Sequence, residues 1–372
     1  MLYVPILMLK EQEKKVTEDL NFCFSEKLMP LFEIIQDEFY KKYEIDSETG
    51  EFLRQNKYDK NGKLRRCKIP IPNTDDDIIT LDNLLKRING KKVFVDYFRF
   101  SNNEFPVNKL NFKSAELSFK LSNSNELYLK RIKELSNYDN LIPVISIKKD
   151  FTISLPKLKK IVDELHEKTE SIALRLTDEV FDRYKDFCIS NLLEKDFVFF
   201  DIGEQPAKSK FIEFEELSNI DFLAKVIILN SPRKKDIVNG NYPERDYTYL
   251  IDTSLKDHVI KYNFDGYGDY CGLKHDLPHP GGANGTALIL FYDGVKNQFY
   301  SYCNKKVKGL DGFCELGEII KEDQNKFDPE NNCFAYKKID TLGSYKSWKN
   351  WINVCIRRSI SEIYKLIQTD KL

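Results

Sequence analysis

The chain has 372 residues, with 58 Lys and Arg against 59 Asp and Glu and a formal net charge of −1, which excludes binding driven by a globally basic surface. Nucleic acid would need a local patch. With 41% hydrophobic and 31% charged residues, including 26 Phe and 20 Tyr, the chain has material for a large core and is not a disordered protein.

The apolar run at residues 3–9 lacks a basic segment before it and a small-residue cleavage site after it, so it reads as a strand of the mature fold. No stretch reaches the roughly 18 consecutive apolar residues of a membrane-spanning helix, and no membrane association is expected. The eight cysteines are scattered and follow no export signal, which points to reduced thiols in the cytoplasm.

In chain order, short apolar, β-branched or aromatic runs fall at residues 2–9, 29–35, 92–98, 141–147, 171–176, 197–202 and 225–229. Near-continuous apolar runs predict strands covered on both faces, as in parallel sheets with helical crossovers. Helical spacing appears between them at 11–20, 81–88, 125–135, 155–168 and 181–193. From residue 141 the strands recur at about the 30-residue length of a βα unit. No glycine-rich fingerprint follows the first strand, which weighs against a dinucleotide-binding sheet. The expectation is an α/β fold, a TIM-barrel-like parallel barrel, with its eighth strand at either 258–264 or 268–275. Two regions break the rhythm. Residues 36–79 form an insertion after the second strand, with a hairpin expected to turn at Asn61-Gly62. Beyond a Gly- and Pro-rich stretch, 286–292 and 298–303 read as a second hairpin, followed by an amphipathic helix at 345–368 carrying Trp348 and Trp351, both expected to pack on the barrel. The expected division is a barrel-like domain over 1–275 and a C-terminal hairpin and helix over 276–372 packed on it.

In a parallel barrel the outward strand face lies under helices, so a polar residue inside an apolar strand points inward, and near the strand's C-terminal end it faces the mouth. Glu33, Asp96, Lys148, Arg175 and Asp201 fit this description, with Ser146 and Asn230-Ser231 beside them; Asp269 and His275 near the closing strand are candidates for orienting a ligand there. Buried carboxylates need partners, so the acids are expected to pair with Arg175, Lys148, a metal or a ligand. Two outcomes are open: a ligand-binding mouth or an ion-pair network that closes the barrel. Glu33, Asp96 and Asp201 could hold Mg²⁺ while Arg175 and Lys148 clamp a phosphate, which would suit phosphodiester hydrolysis; the cofactor is otherwise unspecified. His166 reads as structural. Cys271, His275 and His279 with Cys303 or Cys314 match no common zinc spacing. In the insertion, Arg65, Arg66 and Lys68, with Lys63 and Tyr58, could contact phosphates or an acidic partner, or belong to a solvated loop that also holds Glu44, Asp46, Glu48 and Glu51.

Several short motifs stand in order along most of the chain: Tyr3-Val4-Pro5-Ile6-Leu7 with Glu13 downstream, Pro30-Leu31-Phe32-Glu33, Ile142-Pro143-Val144-Ile145, Ala173-Leu174-Arg175-Leu176, Phe200-Asp201-Ile202-Gly203 and Gly268-Asp269-Tyr270. In these the sequence resembles the phage beta-protein family and its bacterial relatives. The resemblance implies a barrel-like α/β fold and a gene carried by phages or lying near bacterial phage-defence and restriction genes, sometimes beside a nuclease-like partner; it implies no established reaction. The insertion at 36–79 and the glycine-rich stretch at 280–286 depart from the shorter family pattern. The expected function is a cytoplasmic component of an antiviral defence system that binds a ligand or phage product at the barrel mouth and contacts an effector protein from a neighbouring gene. The alternatives are the metal-dependent phosphodiester hydrolase and a scaffold whose polar strand residues only stabilise the barrel.

Overall fold

The computed structural model describes residues 1–59, 61–279 and 284–372. Lys60 of the expected hairpin turn and residues 280–283 of the glycine-rich stretch lie outside the described residues. Eight parallel strands close into a barrel: β1 (Leu2–Leu7), β2 (Leu31–Ile34), β3 (Val93–Tyr97), β4 (Leu141–Ile147), β5 (Ala173–Thr177), β6 (Phe197–Asp201), β7 (Lys225–Leu229) and β8 (Gly266–Asp269). Each pairs with the next, and β8 returns to β1 through Leu2 opposite Gly266 and Val4 opposite Gly268. This is the expected fold class, with the seven apolar runs all forming strands.

The burial pattern follows from the period of two. Val4, Ile6, Leu31, Phe94, Val144, Ala173, Phe197, Phe199, Ile227 and Leu229 point inward and fill the barrel. Phe94 meets Phe197 and Phe199 edge-on, each at 4.8 Å between ring centres. The alternate residues, among them Leu7, Ile34, Val95, Ile145, Leu174, Phe200 and Ile228, face out under helices such as Asn125–Leu135 and Leu155–His166.

The eighth strand matches neither expected span. Residues 258–264 belong mostly to the helix Leu255–Lys261, and the strand begins two residues before the other candidate. At its inward positions stand Gly266 and Gly268, where a Cβ would collide with the carbonyl oxygens of Leu2 and Val4. Closing the seam with β1 therefore requires glycine at both, and a side-chain pattern there carries little strand signal.

The insertion after β2 holds an antiparallel ribbon of Arg54–Tyr58 with Leu64–Lys68. Its turn is not a two-residue turn at Asn61-Gly62. The ladder ends at Tyr58 opposite Leu64; Gly62 takes φ +74°, and the Asp59 carboxylate accepts from the amides of Asn61 and Lys63. At the C-terminal end, Thr286–Asp293 and Gln298–Lys308 form the second hairpin, joined along its edge by Arg245–Thr248 from the connection between β7 and β8. The elaboration thus draws on chain before residue 275. The tail helix Trp348–Gln368 packs between this sheet and the helix Glu11–Leu20: Arg358 Nε donates to the Tyr292 carbonyl at 2.9 Å, and Asn353 Nδ2 donates to the Gln12 carbonyl at 3.3 Å. Trp351 is buried against the C-terminal sheet rather than the barrel, and Trp348 is exposed. Among the described residues no helix is long and apolar enough to cross a membrane.

Candidate functional site

The C-terminal ends of β2 to β6 place Glu33, Asp96, Ser146, Arg175 and Asp201 on the inward face, one layer above the phenylalanines, and all five are buried. Register brings them level: Glu33 stands opposite Asp96, Ser146 opposite Arg175, and Thr177 opposite Asp201. Arg175 is the hub. Its Nη1 donates to Glu33 Oε1 at 2.6 Å and lies 3.6 Å from Asp96 Oδ2, while its Nε and Nη2 reach Asp201 Oδ2 at 2.8 and 2.7 Å. Its Nη2 also donates to the Tyr270 hydroxyl at 3.3 Å, and that hydroxyl donates to Glu33 Oε1 at 2.9 Å.

Three carboxylates share one guanidinium, and the surplus negative charge has a visible effect. Burial drives the Asp96 carboxyl up to about 6, against the pull of Arg175 and of the Ser146 hydroxyl that donates to it; Glu33 adds to the rise. Asp96 is therefore poised to take a proton in mildly acidic solution.

His275 closes the cluster from above. Its ring stacks on Tyr270 at 4.6 Å and meets Phe98 and Phe105 edge-on at 5.2 and 5.9 Å. Burial, with the positive charges of Lys148, Lys235, Arg175 and Lys10 around it, pushes its pKa well below the usual histidine range, so the ring is neutral. Its Nε2 stands 3.8 Å from Glu33 Oε2, and neither atom has a hydrogen-bond partner. Phe98, Phe100, Phe105 and Leu277 form an apolar cap with His275 and Tyr270 over the mouth.

Lys148 does not pair with the barrel acids as expected. Its Nζ lies at the rim, 3.0 Å from the Arg99 carbonyl, 3.5 Å from Glu104 and 4.6 Å over the Phe98 ring, because the residue sits beyond the last inward position of β4. Asp269 is also misplaced by the sequence argument. It follows the inward Gly268, so it shares the outward face of Tyr267 and accepts from the Tyr3 hydroxyl at 3.1 Å and the Cys271 amide at 2.6 Å, under the helical coat. Burial raises its pKa, partly offset by those two donors. Arg65, Arg66 and Lys68 lie on the insertion ribbon, away from the cluster.

Two members of the site were not singled out from sequence. Tyr270 follows β8, and Arg99 follows β3; Arg99 donates to the Ser146 carbonyl at 2.8 Å and to Asn125 at 2.7 Å and lies over the Tyr128 ring. Both are beyond strand ends, where the alternation that flagged the others no longer applies.

The carboxylates that could have held Mg²⁺ all turn toward the Arg175 guanidinium. Among the described residues no group of three His, Cys, Asp or Glu side chains is arranged to hold a metal ion. The cysteine and histidine residues considered for zinc are dispersed: Cys271 lies beside Tyr3, His279 bonds Asp276 and the Lys109 carbonyl, and Cys303 donates to the Asn239 carbonyl. His166 ties its helix to Asp196 at 2.8 Å, a structural contact.

What fold and site define is an elaborated parallel α/β barrel with a buried polar layer at its C-terminal mouth. No family model and no curated protein matches the chain. Among solved structures, it is similar to one from Bacteroides vulgatus described as a "putative glycoside hydrolase", at 13% identity with a TM-score of 0.37 over 75% of this chain. The chain spans about half of that protein, 52% of its length. The barrel assignment rests on the strand pairing itself.

Proposed function

We propose that the protein is a cytoplasmic component of a bacterial antiviral defence system that binds a ligand or phage product at the barrel mouth and signals to an effector protein. The observation that carries ligand binding is the pair Glu33 Oε2 and His275 Nε2, both buried and both without a partner, 3.8 Å apart beside an occupied guanidinium. An unanswered buried polar atom costs about 1–3 kcal/mol, and two facing each other suit a ligand hydroxyl or amide that bonds both at once. Access requires the cap of Phe98 and Phe105 to swing aside, and that movement is the natural signal to a partner. The defence role is supported by the sequence resemblance, and the cytoplasmic setting by eight cysteines that are all free thiols. The phosphodiester hydrolase draws less support, since Arg175 stands where a shared cation would sit among the carboxylates.

Glu33→Gln and His275→Gln keep side-chain bulk while changing the two unpartnered atoms. Expressed from the native locus, each is expected to raise plaque counts at least ~10-fold, the effect of losing about 1.4 kcal/mol of ligand affinity, with the melting temperature little changed. Full protection by both folded variants would remove the reading.

A further inference from the structure

The insertion ribbon carries an arrangement with no use in folding. Its ladder pairs Arg54 with Lys68, Gln55 with Cys67, Asn56 with Arg66, Lys57 with Arg65 and Tyr58 with Leu64. Two of the five cross-strand pairs set cation against cation, and the ladder holds no acid. Like charges directly opposite each other destabilise a sheet, and an isolated two-stranded ribbon is marginal to begin with. Some of this charge is answered locally: Arg65 Nε reaches Asp59 at 2.8 Å, and Lys68 Nζ lies 3.5 Å over the Phe52 ring and 5.1 Å from that of Tyr43. Arg54, Lys57 and Arg66 are exposed, and among the described residues none of them has an ion-pair partner. The acids of the insertion are segregated in the preceding turn, where Asp46 accepts from the amides of Glu48 and Thr49.

We propose that this ribbon is a nucleic-acid-binding element that lies in the major groove of duplex DNA. Charge first selects a polyanion, because a row of phosphates would relieve the unanswered repulsion at Arg54, Lys57 and Arg66. Shape then selects the duplex. A two-stranded ribbon fits the B-form major groove, about 12 Å wide, whereas the A-form major groove of RNA is too narrow for it. The faces divide accordingly. Arg54, Asn56, Tyr58, Leu64, Arg66 and Lys68 share one side by alternation, with the Asn56 and Arg66 pair at its centre. Those two residue types suit the base edges of adenine and guanine, and Lys57 and Arg65 on the other side are free to turn to the flanking phosphates. The chain's net charge of −1 confines the effect to this one element. The inference uses none of the barrel-mouth residues and does not depend on the reading given for them.

The test is fluorescence anisotropy of the full chain with a short labelled duplex DNA, repeated with duplex RNA of the same sequence and with polyglutamate as competitor. Binding to DNA is expected to weaken steeply between ~50 and ~200 mM salt. The combined variant Arg54→Gln, Lys57→Gln and Arg66→Gln is expected to lose at least ~10-fold in affinity and to flatten the salt slope by about 2–3, one unit per lost phosphate contact. Its melting temperature should be unchanged or slightly higher, since both like-charge pairs are relieved. Affinity unchanged in the variant, or no DNA binding by the native chain, would overturn the proposal. Equal affinity for duplex RNA would overturn the groove assignment, and displacement of DNA by an equal charge of polyglutamate would identify an acidic protein as the partner instead.

Discussion

Arg175 Nη1 and Glu33 Oε1 stand 2.6 Å apart in the barrel's mouth, joining residues 142 positions apart in the chain. The bond crosses from β5 to β2, so it spans the interior rather than linking neighbouring strands. Because Asp96 and Asp201 also face the same guanidinium, one side chain neutralises what would otherwise be three buried carboxylates. Stability and any ligand chemistry at the mouth therefore depend on the same residue.

Removing that residue leaves uncompensated buried charge. Arg175→Ala is expected to lower unfolding free energy by about 3–5 kcal/mol, the usual cost of breaking a buried pair from one side. Arg175→Lys keeps the charge but not the fork that serves Glu33 and Asp201 together, and should fall between the two. Urea denaturation measures both. An Arg175→Ala protein as stable as the native one would show that the acids are already neutral or solvated.

Asp96 supplies a pH dependence with a definite sign. Its folded pKa of about 6 lies above the unfolded value near 3.8, so the folded state holds the proton more tightly. The stabilising contribution is complete below the unfolded pKa and is lost as pH rises through the folded one. At about 1.4 kcal/mol per unit, the ionisation costs roughly 3 kcal/mol at neutral pH. Asp96→Asn should therefore gain on the native protein by up to about that amount between pH 4 and pH 7, read from the difference in urea midpoints at the two pH values. A constant difference across that range would mean that Asp96 titrates normally.

The C-terminal elaboration hangs on a second buried arginine. Arg358 donates to the carbonyls of Tyr292 and Phe327, both at 2.9 Å, and pairs with Glu362 at 3.1 Å. Arg358→Met keeps much of the volume but strands two carbonyls and a carboxylate, for a cost of about 3 kcal/mol or more. Limited proteolysis should then cut residues 284–372 before the barrel. Simultaneous loss of both parts would indicate one cooperative unit.

Most of the barrel was legible because a strand covered on both faces must be apolar almost throughout, so seven runs declared themselves. The same property exposed Glu33, Asp96, Arg175 and Asp201, since a charged residue within such a run has only the interior to face. Lys148 and Asp269 were misjudged for one reason, that position at a strand end was weighed above parity, and the two lie respectively beyond the last inward site and on the outward face. Tyr270, Arg99 and the phenylalanine cap come from connections, whose paths no periodicity describes. The eighth strand was obscured by its own packing: a sequence of Gly266-Tyr267-Gly268-Asp269 has no inward side chain to show.

That last feature gives the most direct test of barrel closure. A Cβ at Gly268 would meet the Val4 carbonyl oxygen on β1 and lie 2.8 Å from Leu229 Cδ2 on β7, so it is caught between a backbone and a packed side chain. Backbone cannot give way as a flexible side chain can, and Gly268→Ala is expected to cost about 3 kcal/mol, the upper end for overpacking. Gly62 in the ribbon turn provides the contrast. It also disfavours a side chain, at φ +74°, but has nothing within 4 Å, so Gly62→Ala should cost only about 1 kcal/mol of local backbone strain and leave barrel unfolding unchanged. Thermal melts of the two variants separate the causes: a Gly268→Ala protein melting with the native one would mean that β8 does not close against β1 at this register.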